Sequence, residues 1–308
     1  MNDMHRIHPN SPLLAGALLA CAIIPSFASC GDPDAVVIGS KMHTESYLVA
    51  TLASMTIEAA GIPTRERFGV GSMIARQGLL NEQIDLYPEY TGTAWNLYLG
   101  RDEKIDDPAR LYTLVREADA KRGVTWLEQS GVNNTYALAL TRERTREIGT
   151  TLSDLARFIR DNPGRLKFGV DHEFYQRPDG FRKMLEYYDM PVNDESIATM
   201  DIGLSFESIA RGQIDVAMVY STDGKLIKYD LVVLEDDRRF FPVYELCFNL
   251  NANVLTRRPE LRRILAPLAA RLDNQTMQRL NYEVDGLGKP VRMVAEEFLY
   301  GKSPLESY

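Results

Sequence analysis

Cysteine is scarce: Cys21, Cys30 and Cys247 are the three in 308 residues. None stands at a metal-type spacing, and three cannot all pair, so a cysteine metal cluster and a disulfide framework are both excluded. Histidine numbers four. His43 and His172 each follow a predicted strand, but without a defined carboxylate or cysteine partner they make a poor metal set. The apolar run PLLAGALLACAII at 12–24 is too short to span a bilayer comfortably. Positive charge is not in excess, with 35 Lys and Arg against 43 Asp and Glu and a net charge of −8. That balance argues against nucleic acid as a partner and leaves cationic or zwitterionic small molecules open. The GVG at 69–71 follows a predicted strand but lacks the third glycine and the acidic partner of a dinucleotide loop. No local stretch marks a Ser-His-Asp or Cys-His set. No cofactor and no metal are expected from these residues.

What is present begins with a segment that is not part of the fold. A polar start containing Arg6, the apolar run and the small residues of PSFASC have the pattern of a cleaved secretory signal over 1–29. FASC at 27–30 resembles a bacterial lipobox, which makes Cys30 the lipid-modified N-terminus of an extracytoplasmic, membrane-anchored lipoprotein. A cut at the similar LLAC, 18–21, would leave the apolar tail AIIPSF on the mature chain. Cys21 then leaves with the signal, and Cys247, in YELCFNL, is a small core residue. The remainder has the apolar and charged fractions of an ordinary globular protein and the length for two domains.

Those two domains share a plan. QIDLYPEYTGT at 83–93 returns as QIDVAMVYSTDG at 213–224, and the same offset of 130 lays VVIGS (36–40) over LKFGV (166–170), with Gly39 over Gly169. Around each copy, short β-branched runs alternate with helical patterns, the signature of parallel βαβ units. In the second copy a loop DHEFYQRP leads, with Pro178 in its first turn, into a helix carrying Phe181, Met184, Leu185 and Tyr188 at i, i+3, i+4 and i+7. A charge run and a helix separate the copies. Three helical patterns fill 258–301, the last between Pro290 and Gly301. Returning these helices to the first lobe makes the chain cross twice, near Thr135 and Pro242. Lobe 1 is then 33–135 plus 243–308, and lobe 2 is 136–242.

Ligands of open α/β sheets sit beyond the carboxyl ends of the strands. The loops there present Lys41, Tyr90 and Thr93 from the first lobe, Arg177 and Tyr220 from the second, and Tyr136 and Tyr244 beside the crossings. Tyrosine faces attract a cation that has no N–H to donate. A lysine and an arginine want a carboxylate. A quaternary-ammonium zwitterion, a betaine, satisfies both sets.

GSKMHTE, RERFGVGS, QIDLYPEYTGT, HEFYQRPDG, YSTDGKLIKYDLVVLEDD and FFPVYE, in this order over nearly all of 35–301, resemble the glycine betaine/choline-binding proteins of osmoprotectant ABC importers. The resemblance implies a type II, two-lobed α/β fold like that of periplasmic binding proteins, with the ligand cleft between lobes and two chain crossings. It implies a binding protein, not an enzyme, and a monomer that hands its ligand to a permease driven by an ATPase. Carried over, the ammonium cage is Tyr90, Tyr136, Tyr220 and Tyr244, and the carboxylate is held by Lys41, Thr93 and Arg177. Where the family commonly has Asn-Phe-Thr-Glu after GSK, this chain has Met42-His43-Thr44-Glu45, so His43 is either an altered pocket edge or a helix cap. Within the same class, choline or carnitine is the alternative ligand, and ligand sensing the alternative role.

Overall fold

The computed structural model describes residues 34–301. The segment 1–29 and Cys30 lie outside the described residues. Among the described residues, five strands come before the midpoint of the chain: β1 (Val36–Lys41), β2 (Thr64–Val70), β3 (Leu86–Tyr90), β4 (Val124–Trp126) and β5 (Tyr136–Thr141). Five follow: β6 (Phe168–Val170), β7 (Ile197–Thr199), β8 (Val216–Tyr220), β9 (Leu231–Val233) and β10 (Leu246–Asn251). They form two sheets, ordered β2-β1-β3-β10-β4 and β7-β6-β8-β5-β9.

Each sheet has a parallel half, β2-β1-β3 or β7-β6-β8, continued by one antiparallel strand, β10 or β5. The chain leaves the first sheet after β4 and returns to it at β10, so it crosses twice. This is the two-lobed type II arrangement expected from the sequence.

The internal repeat has a physical cause. Asp85 accepts from the Val37 amide through Oδ2 at 2.8 Å, and Asp215 accepts from the Lys167 amide in the same way at 3.0 Å. In both copies the aspartate of QID thus ties the strand it opens to its parallel neighbour. The isoleucine beside it fills the space a side chain would need: a Cβ on Gly39 would stand 2.7 Å from Ile84, and one on Gly169 would stand 2.5 Å from Ile214. Glycine leaves that isoleucine room to pack directly against the neighbouring strand.

The helix Thr44–Ala59 follows β1 and is buried on almost every side. It lies between the first sheet and the helices Glu260–Ala270, Asn274–Asp285 and Val291–Tyr300. Its sequence is apolar nearly all round because it is covered all round. Phe181, Met184, Leu185 and Tyr188 are all buried, as their spacing predicts. Cys247 is buried on β10.

Three local expectations are corrected. The stretch after β6 is not an open loop but holds the one-turn helix His172–Gln176, because Asp171 accepts from the amides of Glu173 and Phe174. The next helix begins at Phe181 behind Gly180, so Pro178 precedes it instead of sitting in its first turn. The charge run before it is itself helical, Arg142–Ile148, capped by Thr141. Among the described residues no helix is long and apolar enough to cross a membrane.

Candidate ligand-binding cleft

Parallel strands aim their carboxyl ends one way, so the loops after β1, β3, β6 and β8 meet over one hollow. It is a cleft of about 680 Å³ lined from both sheets. Tyr90 ends β3 and Tyr220 ends β8. Tyr136 opens β5 in register with Tyr220, and Tyr244 stands two residues before β10. A Cβ on Gly92 would lie 2.8 Å from the Tyr244 ring, so the glycine of YTGT is what lets that ring reach the cleft.

The four tyrosines share this cleft. The Tyr136 centroid is 5.3 Å from that of Tyr220 and 5.5 Å from that of Tyr244, the second pair edge to face. His43 stands between Tyr90 and Tyr220, at 6.2 and 5.2 Å. Phe174 stacks on Tyr136 at 4.5 Å. Burial pushes all four phenols above the ordinary tyrosine range, so the rings are neutral phenols, whose faces attract a cation through the ring quadrupole.

Lys41, Thr93 and Arg177 line the same cleft. Neither cation is free, however. Lys41 Nζ donates to Glu89 Oε1 at 2.7 Å and lies 4.8 Å from the centre of the Tyr90 ring. Arg177 makes paired hydrogen bonds to Asp179, Nε to Oδ1 at 2.9 Å and Nη2 to Oδ2 at 2.6 Å, with its guanidinium 5.4 Å from the Tyr136 centroid. Each cation has a partner within the chain: Glu89, wholly buried on β3, and Asp179, two residues from Arg177, already neutralise them. Donor capacity remains, because an ammonium has three N–H groups and a guanidinium five.

His43 caps a helix and lines the cleft. Its Nδ1 accepts from the Ser46 amide at 3.4 Å and caps the helix Thr44–Ala59, while the ring faces the tyrosines. Burial, with Lys41 nearby, lowers its pKa to about 3.

The sequence reading missed the acidic side of the cleft. Six lining residues are carboxylic (Glu45, Asp171, Glu173, Asp201, Asp223 and Asp285) against three basic ones, Lys41, Arg177 and Lys225. Glu173, on the second sheet's side, accepts at 3.4 Å from the amide of Ser72, first residue of the helix Ser72–Leu80, whose cap Gly71 has no side chain to offer. Asp223 stood in the repeat QIDVAMVYSTDG with no role assigned to it, and nothing marked Asp285, because the two come together only through folding.

The family described as the substrate binding domain of ABC-type glycine betaine transport systems matches residues 34–300. The chain belongs to this family. It is 34% identical, over 93% of its length and 94% of the relative's, to a glycine-betaine-binding protein of Pseudomonas aeruginosa. It is 32% identical over 96% of its length to an ergothioneine transport permease/ergothioneine binding protein of Helicobacter pylori, of which it spans 52%. The crystal structure of a glycine betaine/carnitine/choline ABC transporter superposes with a TM-score of 0.69 at 32% identity, over 86% of this chain and 97% of that one. As a member of the family it is a non-catalytic solute receptor on the extracytoplasmic side of an osmoprotectant ABC importer.

Proposed function

We propose that the cleft binds a betaine by its trimethylammonium head, with Tyr90, Tyr136, Tyr220 and Tyr244 as the cage. The observation that carries this reading is the meeting of aromatic rings from both sheets in one cleft. A trimethylammonium group donates no hydrogen bond, so ring faces are its natural partners, each worth roughly 0.5–2 kcal/mol according to desolvation. Glycine betaine, carnitine and ergothioneine, named for the similar proteins, all carry that group and a carboxylate. The remaining donors of Lys41 and Arg177, with Thr93, take the carboxylate beside Glu89 and Asp179. His43 forms the edge of the pocket. The two lobes, 33–135 plus 243–308 and 136–242, close on the ligand, which shifts the population toward the closed form it bridges. The monomeric receptor, anchored by lipid at Cys30, delivers it to the permease.

The internal pairing of Lys41 and Arg177 supports a second reading, a choline-like cation without a carboxylate. Calorimetry with glycine betaine, carnitine, choline and tetramethylammonium separates the two. The betaines are expected to bind most tightly; choline ahead of every betaine moves the assignment to the second reading, and no binding by any of them removes both.

A further inference from the structure

Glu45 stands in the first turn of the helix Thr44–Ala59 and is 3% exposed. Its carboxylate accepts four hydrogen bonds from four separate parts of the chain. Oε1 receives Tyr90 Oη at 2.6 Å and Asn134 Nδ2 at 2.9 Å. Oε2 receives Thr222 Oγ1 at 2.6 Å and Asn281 Nδ2 at 3.1 Å. Four donors fill the four acceptor positions of a carboxylate.

All four donors are neutral. The buried carboxylates of Glu89 and Asp119 each face a cation, Lys41 and Arg76, as buried charges normally do. Among the described residues no lysine or arginine forms an ion pair with Glu45. The positive end of its own helix meets part of its charge. The remainder faces a cleft in which Tyr90 and Glu45 both line the wall.

We infer that Glu45 is the positioning residue of the receptor: through one oxygen it holds and polarises the phenol of Tyr90, and through the other it ties Thr222 of the opposite sheet. The inference rests on the proposed betaine reading. A phenol that donates to a carboxylate has a more electron-rich ring, and so attracts a cation more strongly. Because the turn after β8 carries Thr222 and β3 delivers Tyr90, the same carboxylate couples the quality of the cage to the approach of the lobes.

Tetramethylammonium is the probe, since it has neither carboxylate nor N–H. In Glu45→Gln, the amide turns N–H groups toward two donors, and the affinity should fall by about 10–100-fold with the circular dichroism unchanged. Tyr90→Phe keeps the ring and deletes the O–H; it should lose about 3–10-fold, and wild-type affinity in a folded Tyr90→Phe overturns the polarisation. For the coupling, fluorescence energy transfer between dyes on the two lobes is measured without ligand. Glu45→Gln and Thr222→Val should each lengthen the distance, and the double variant should lengthen it no further. Unchanged distances, or additive ones, overturn the coupling even if Glu45→Gln proves unstable, because Thr222→Val alone then decides. If the wild-type protein ignores every quaternary ammonium, the betaine reading and the cage half of this inference fail together, while the ligand-free distances still judge the coupling.

Discussion

Asp223 is the residue whose chemistry depends most on where folding puts it. Burial first, and the charge of Asp285 second, push its carboxyl up to about 7, against a contact with the Lys225 amide and the Lys225 charge. Glu45 adds to the push. Asp285 is itself raised by burial, although Thr44, Lys225 and Lys228 favour its charge. A carboxyl raised in the folded state holds its proton where the unfolded chain has released it, so between about pH 4 and 7 this group makes stability fall as pH rises. His43 acts oppositely: its pKa of about 3 lies below the unfolded value, so its contribution is complete above about 6.5 and is lost as the pH falls. Asp223→Asn should therefore melt higher than wild type at pH 8 and lose more on acidification to pH 5, at roughly 2–4 °C per kcal/mol for a chain of this size. Parallel melting curves across that range would remove Asp223 from the account. At the same scale, Tyr220→Ala should weaken binding of glycine betaine by roughly 1–2 kcal/mol, about tenfold, with the fold intact. Calorimetry reads this directly, and an unchanged affinity counts against Tyr220 as a cage wall.

At the scale of elements, the repeat was legible because its letters do the same local work twice: Ile84 and Ile214 press on Gly39 and Gly169, and Asp85 and Asp215 tie neighbouring strands. The helix after β6 escaped notice because a single turn held by Asp171 has too few residues to show a period. The contact between the short helix Lys225–Lys228 and the helix Asn274–Asp285 could not be read at all. There, a Cβ on Gly224 would stand 2.2 Å from the Tyr282 backbone nitrogen. Backbone cannot yield as a side-chain tip can, so Gly224→Ala should wedge these helices apart. Its expected signature is about tenfold weaker ligand binding with a larger radius of gyration by small-angle scattering. Tight binding at wild-type size would mean that the two helices can separate without opening the cleft.

At the scale of the whole molecule, a ligand that binds only the folded, closed form must raise the melting temperature. At a hundred times the dissociation constant the stabilisation is about 2.7 kcal/mol, which corresponds to roughly 5–10 °C. Differential scanning fluorimetry with glycine betaine checks this, and a flat response at saturating ligand contradicts closure on the ligand. The alternation of strands and helices, the duplicated half-sheets and the placing of Tyr90 and Tyr220 at strand ends followed from the sequence alone, because each depends on neighbouring residues or on the period of a strand; the double crossing followed from final helices that need a core to pack on. The charge state of the cleft did not. Whether Lys41 and Arg177 are free, which carboxylate lacks a cation and where Asp223 meets Asp285 are matters of side chains brought together from far along the chain, as Glu45 and Asn281 are, 236 residues apart. Electrostatic energy depends on distance and burial through space, and only the folded chain decides those.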